Sequence, residues 1–325
     1  MKIVDVLLRG FSICVGIWFS CVASHAQTYP SKTITIVVPY PAGGGVDAVA
    51  RAVQPALANE LKQPIVIENK PGAAGSTGMG AVARSVPDGY TVAITNNPPI
   101  TQNEFLQLAI PYVSAKAFVP VGIIADTNIF VVVNSSMPVS SMPDLIKYAA
   151  NAKKPLTYGS AGPGSTYHIA GEMIRKFAKL ELDHVPYRGT AQMTQDLLTG
   201  VLDIGFGTPT AIMPFVESKQ LRVIAVIDKK PHPEFPNIDP VAKHFPEVVT
   251  ETWVGLFAPA GTPDVVIQRL NLAINKVLKE PATADAVKLQ GWFPTSGTSE
   301  GFAKFLDNER RQWKTVLPAI GLLPQ

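Results

Sequence analysis

Three turns in this sequence hold the residue types that bind anions through the main chain. They are Pro41-Ala42-Gly43-Gly44-Gly45-Val46-Asp47, the run from Gly159 to Thr166, and Tyr187-Arg188-Gly189-Thr190-Ala191. Each sits where a strand pattern ends and a helix pattern begins. Small or missing side chains let a ligand approach the backbone, and the N–H groups of a helix start have no partner within the helix. One such turn is ordinary chain reversal; three at strand-to-helix junctions point to a binding role.

Other chemistries fit less well. Gly43-Gly44-Gly45-Val46-Asp47-Ala48 formally matches the dinucleotide fingerprint, and Glu68 follows at the matching spacing. Asp47, however, would place a negative charge against a pyrophosphate. Ser165 with His168 has the types of a nucleophile and base, but a Ser at a helix start is more often a cap or an anion donor. His168, His184, His232 and His244 are dispersed, without metal-ligand spacing. No G-x-S-x-G elbow, H-E-x-x-H or P-loop is present. No cofactor is expected.

The elements that must position these turns follow from patterning. Strands are predicted at 33–38 (TITIVV), 64–68, 90–95, 130–133, 156–158, 201–206, 221–227 and 253–258. Between them lie helical stripes, such as Val46, Val49, Ala50, Val53, Leu57 and Leu61, with Pro55 expected to kink that helix. Ile169, Met173, Phe177 and Leu180 mark another helix. Thr262 is read as an N-cap with Pro263 at the first helical position, and a last helix is expected at 300–316. Residues 229–246 carry five prolines and read as an irregular connection. The alternation predicts α/β architecture with largely parallel sheets.

The chain has 325 residues, enough for roughly two domains. Its net charge is +3, from 28 basic and 25 acidic residues that are scattered, so no nucleic-acid face is expected. Residues 1–26 read as a secretory signal: Lys2 and Arg9 supply the positive start, 11–22 are uncharged, and Ser24-His25-Ala26 offers a cleavage site. The mature chain then starts at Gln27 in the periplasm. Cys14 and Cys21 both fall in this segment, leaving no thiol or disulfide afterwards. Trp18-Phe19-Ser20 before Cys21 does not suit lipid attachment.

Several ordered motifs together resemble one family. YPSKTITIVVPYPAGGGVDAVAR, ENKPGAAGSTG with PDGYT, GSAGPGSTYHIAGE, VPYRGTAQMTQDLLTGVLDIGF and WVGLFAPAGTP run from Tyr29 to the C-terminal region. They resemble the periplasmic receptors of tripartite tricarboxylate transporters, the Bug family. The resemblance implies a two-lobed periplasmic-binding type II fold: 27–126 and 251–325 would form one lobe and 127–250 the other, with crossovers near Asp126 and Thr250. It implies a non-catalytic monomer that closes on a small carboxylate and hands it to membrane permease subunits. Tyr40, Ala42, Gly43, Gly44, Asp47, Ser76 and Asn96 would bind from the first lobe. Gly164, Ser165, Thr166, His168, Tyr187, Gly189, Thr190 and Ala191 would face them, with Asp203 in support. Asp47 has a second reading, as a cap for its own helix. The stretch after Asn96 departs from the family pattern, as does Gln192, where proline is usual. An exported α/β enzyme, dinucleotide-dependent or hydrolytic, and a receptor for a signalling sensor are the alternatives.

Overall fold

A computed structural model describes residues 29–106, 110–232 and 235–324. The expected signal segment and its cleavage site lie outside the described residues. Strand β1 (Ile34–Val38) shows how the chain's alternation builds the molecule. Ile34, Ile36 and Val38 enter one apolar cluster and Val37 enters another on the opposite face. A strand has a period of two, so a sheet buried on both sides needs apolar residues at nearly every position.

Helix α1 (Gly45–Leu61) follows and buries the predicted stripe, running unbroken through Pro55. The first half continues with β2 (Ile65–Asn69), α2 (Ser76–Ala83), β3 (Thr91–Asn96), a π-turn at Pro98–Gln102, α3 (Asn103–Leu106), α4 (Ser114–Ala117) and the ten-residue β4 (Phe118–Thr127). The chain then crosses over. β5 (Phe130–Asn134), α5 (Met142–Ala150), β6 (Leu156–Ser160), α6 (Thr166–Phe177), β7 (Leu182–Pro186), α7 (Thr190–Leu198), β8 (Ile204–Gly207), α8 (Pro209–Glu217) and β9 (Leu221–Val226) build a second unit. The return brings β10 (Thr252–Pro259), α9 (Asp264–Val277), α10 (Pro281–Lys288), β11 (Phe293–Pro294) and α11 (Ser299–Ala319).

Two sheets result, with orders β11-β4-β10-β3-β1-β2 and β7-β6-β8-β5-β9. The strands that carry the glycine turns pair in parallel, β1 with β2 and β3, and β6 with β7 and β8. The strands next to the crossovers run the other way: β10 is antiparallel to β3 and β4, and β5 to β8 and β9. Each sheet has apolar clusters on both faces. The architecture is a two-lobed α/β fold.

Three expectations are corrected. The strand expected at 201–206 begins only at Ile204, and Val201 is exposed. Asp203 explains this: its Oδ2 accepts from Thr157 N (2.8 Å) and Oγ1 (2.9 Å), so a side chain replaces the ladder there. Thr262 does not cap α9. Pro263 is the cap, its carbonyl accepting from Val266 and Ile267, while the Thr262 hydroxyl donates back to Pro259 O (2.8 Å). The third concerns the sheets, expected to be largely parallel: β10, β11 and β5 are antiparallel to their neighbours, so both sheets are mixed. Phe302 and Leu306 of α11 pack in the first unit, but Trp313, Leu317 and, past the helix, Ile320 and Leu322 pack in the second. Helix α11 and the residues after it therefore contact both units.

Candidate functional site

The glycine turns stand at the carboxyl ends of parallel strands, where open α/β sheets bind ligands. After β1, Gly43 takes φ +82°, a conformation glycine adopts without strain. Asp47, one turn into α1, reaches back to accept from Gly43 N at 2.8 Å. The same oxygen takes Arg51 Nε at 2.8 Å, and the other takes Asn69 Nδ2 at 2.9 Å. Burial works against ionisation here, but these three donors hold the Asp47 carboxyl below its usual range. Asp47 thus braces its own loop, and Ala42, Gly43 and Gly45 are left exposed.

The 72–75 turn is conformationally costly. Gly72, Ala73, Ala74 and Gly75 all have positive φ, at +135°, +47°, +47° and +91°. For the alanines this is the left-handed region, which side chains disfavour. The segment 98–106 supports it: Asn103 Nδ2 donates to Ala74 O (3.1 Å) and to Ser76 Oγ (2.8 Å). Tyr40 Oη donates to Asn96 Oδ1 at 2.5 Å. A Cβ on Gly75 would lie 3.1 Å from both Tyr40 Oη and Pro99 Cγ. Tyr40, Asn96, Gly75 and the buried Ser76 are therefore gathered at one end of the first sheet.

In the second unit, β6 ends at Ser160, whose Oγ bonds His184 Nε2 (2.6 Å) and accepts from Gly162 N (3.0 Å). Ser165 caps α6 by accepting from His168 N, and its hydroxyl keeps one hydrogen to donate. The ring of His168 stacks on His184 at 4.2 Å between centroids. Its Nδ1 accepts from Gly164 N at 3.1 Å, which requires a neutral ring. Burial, with His184 alongside, lowers the His168 pKa to about 4 and keeps it so. Ser165 thus meets the backbone of His168 and not its ring, and no nucleophile–base pair forms here.

The third turn docks on the second. Tyr187 N donates to Ser160 O (2.9 Å), and Tyr187 Oη donates to Asp196 Oδ2 (2.8 Å). Burial and Asp196 push the Tyr187 hydroxyl up to about 12. Gly189 caps α7, leaving Thr190 and Ala191 exposed at its first turn. Asp203 stands apart. It pairs with Thr157, three residues back along β6 from Ser160, and joins none of the turns. A groove of about 520 Å³ on α5, lined by Asp144, Lys147 and Tyr148 among others, contains none of the turn residues either.

The segment 98–106 joins the two units at the site. Pro99 meets Tyr40 and Gly75, while Leu106 Cδ1 lies 3.5 Å from where a Cβ on Gly164 would sit. The segment therefore runs from the Gly72–Gly75 turn of the first unit to the Gly164 turn of the second. Phe105 and Leu106 also pack on the second-lobe core. Sequence reading missed this bridge; polar Gln102 and Asn103 inside an apolar run were its only local signal.

It also missed the joint behind the site. Glu309 is buried on α11, its Oε1 accepting from Asn97 Nδ2 (2.6 Å) and Trp313 Nε1 (3.1 Å) and its Oε2 from Trp253 Nε1 (2.8 Å). Asn97 Nδ2 also donates to Glu251 O at the second crossover (2.8 Å). Trp253 belongs to the first core and Trp313 to the second. One carboxyl therefore ties both lobes and a crossover.

Known proteins share this organisation. The family model for the tripartite tricarboxylate transporter family receptor matches residues 49–322. Protein BugT of Bordetella pertussis is 30% identical over 298 residues, covering 91% of this chain and 91% of its own. An R. palustris structure with adipate is 30% identical with a TM-score of 0.84, covering 91% of this chain and 100% of that one. MatC from Rhodopseudomonas palustris, with bound malate, is 26% identical with a TM-score of 0.79, covering 89% and 100%. The chain belongs to the tripartite tricarboxylate transporter receptor family, the Bug proteins, which are periplasmic solute-binding receptors and not enzymes.

Proposed function

We propose that this receptor captures a small carboxylate between its lobes and delivers it to the membrane permease of a tripartite transporter. The observation that carries the reading is the bridge: the Gly72–Gly75 turn before α2 and the Gly164-Ser165-Thr166 start of α6 lie at the two ends of one segment, beside Pro99 and Leu106. Ser165, Thr166, Gly189, Thr190 and Ala191 supply main-chain and hydroxyl donors, Gly43 and Gly44, whose own N–H groups bond Asp47 and Pro41, let the ligand approach the backbone, and Tyr40, Ser76, Asn96 and Tyr187 shape the walls. Asp47 and His168 act indirectly, by fixing the turns they brace. Adipate and malate in the relatives support an acid of this size class.

Cationic side chains are not needed for this. A hydrogen bond to a charged group contributes roughly 1.5–3 kcal/mol, so four give roughly 6–12 kcal/mol before ordering costs. Micromolar binding requires about 8 kcal/mol. Ligand touching both lobes favours the state in which both are close, and that difference in affinity drives closure. Both halves of the site come from one chain, which supports a monomer. The reading places the mature protein in the periplasm after cleavage following Ala26.

A panel of mono- and dicarboxylates, aromatic acids and amino acids should contain at least one that raises the melting temperature saturably. A panel that leaves it unmoved overturns the proposal. Replacing Ser165 and Thr166 together by alanine should weaken that ligand at least tenfold in calorimetry.

A further inference from the structure

His184 on β7 pairs in register with Tyr158 on β6. Alternate residues of a strand line one face, so Tyr158 and Ser160 share a side of the sheet, and His184 meets both. Its ring stacks on Tyr158 at 5.0 Å between centroids and on His168 at 4.2 Å, each with 23° between the planes. It is the middle of three rings that start at a fully buried tyrosine, held by Glu172 Oε1 at 2.6 Å, and end in the first turn of α6. At its edge, His184 Nε2 lies 2.6 Å from Ser160 Oγ. The other contacts of that hydroxyl, Gly162 N at 3.0 Å and Gly162 O at 3.2 Å, are inside the turn itself. His184 is therefore what ties the hydroxyl to a neighbouring strand.

Two amides of the turn end on this ring system. Gly162 N reaches it through Ser160 Oγ, and Gly164 N through His168 Nδ1 at 3.1 Å. Both glycines have positive φ, +103° and +75°, and neither has a side chain to hold the loop. Whatever fixes the loop also aims the N–H groups of Thr166 and Tyr167, which open α6 and have no partner within it. We infer that His184 is a positioning residue for ligand capture: one ring sets both ends of the second-lobe turn, by a bond to Ser160 and by a stack under His168. This rests on the carboxylate-receptor reading, in which the start of α6 meets the ligand's oxygen atoms. The two supports are separable, since the bond needs a polar atom and the stack needs a flat ring. His184→Phe keeps a ring between Tyr158 and His168 but loses the bond. His184→Gln puts an amide at the reach of Nε2 but loses the stack.

The test joins amide hydrogen exchange, read by NMR without ligand, to calorimetry with acetate, succinate, adipate, malate, benzoate and glutamate. His184→Phe should speed exchange at Gly162 by at least about fivefold, the scale of one hydrogen bond, and leave Gly164 near its wild-type rate. His184→Gln should do the reverse. Both should weaken the tightest-binding of the six acids by at least about fivefold. Ser160→Ala should weaken it as His184→Phe does, and the double variant should be no weaker than Ser160→Ala alone. A packing role would speed exchange across the whole lobe without this crossed pattern. Exchange that does not separate the two glycines, or a double variant whose losses simply add, overturns the inference. Should one ring variant not fold, the other's pair of exchange rates decides; should neither fold, unchanged affinity in Ser160→Ala overturns it. Wild type that binds none of the six acids overturns the receptor reading and this inference together, whereas binding that ignores both ring variants overturns this one alone.

Discussion

Asp47 illustrates how a residue serves a binding turn without touching a ligand. Its side chain is 1% exposed and accepts from Gly43, Arg51 and Asn69, so the turn's shape depends on one carboxylate. Asp47→Asn would set an amide N–H against donors and should lower stability by roughly 2 kcal/mol, with weaker ligand binding. Because the folded carboxyl titrates below its ordinary 3.8, its contribution is present above that value and fades as pH falls further. Urea unfolding of both proteins at pH 7 and pH 3 checks this; their stabilities should converge in acid. The turns themselves were legible in the sequence, because glycines at strand-to-helix junctions have a direct steric meaning. Whether a polar side chain there points at ligand or back at its loop was not. Asp47, His168 and Ser165 each make a short-range bond that composition does not distinguish from a ligand contact.

At the scale of elements, patterning served best where both faces of an element are buried. The alternation in β1 and the stripe of α1 identified elements and core residues together. It failed where one side chain displaced a backbone bond, as Asp203 does at the start of β8. Helix α6 shows a tighter constraint. A Cβ on Gly171 would lie 2.1 Å from Tyr158 Cε2, and that ring is fully buried and donates to Glu172 Oε1 at 2.6 Å. Alanine normally improves a helix by about 1 kcal/mol over glycine. Here the overlap wins, and Gly171→Ala should cost about 1–3 kcal/mol, read as a lower urea midpoint with an unchanged slope.

The whole molecule is held by a joint that sequence alone did not reveal. The stripe Phe302, Leu306, Glu309, Trp313 and Leu317 reads as one amphipathic helix, yet it feeds two cores. Periodicity says which face is buried but not against what. Burial raises the Glu309 pKa from 4.5 to about 7, outweighing the two indoles and Asn97 that favour its charge. Between those values the folded protein holds a proton that the unfolded chain has released. Stability from this group is therefore complete below pH 4.5 and declines as pH rises to about 7. At ~1.4 kcal/mol per pH unit the decline is roughly 3 kcal/mol, and Glu309→Gln should remove it. Unfolding of wild type and variant at pH 5 and pH 8 measures the difference.

The end of α11 has a consequence for biogenesis. Trp313, Leu317, Ile320 and Leu322 join the second-lobe core, yet the ribosome makes them after every described strand and every other described helix. Until they emerge, that lobe lacks a wall. Closure of the second-lobe core should therefore wait for the end of α11 to be made.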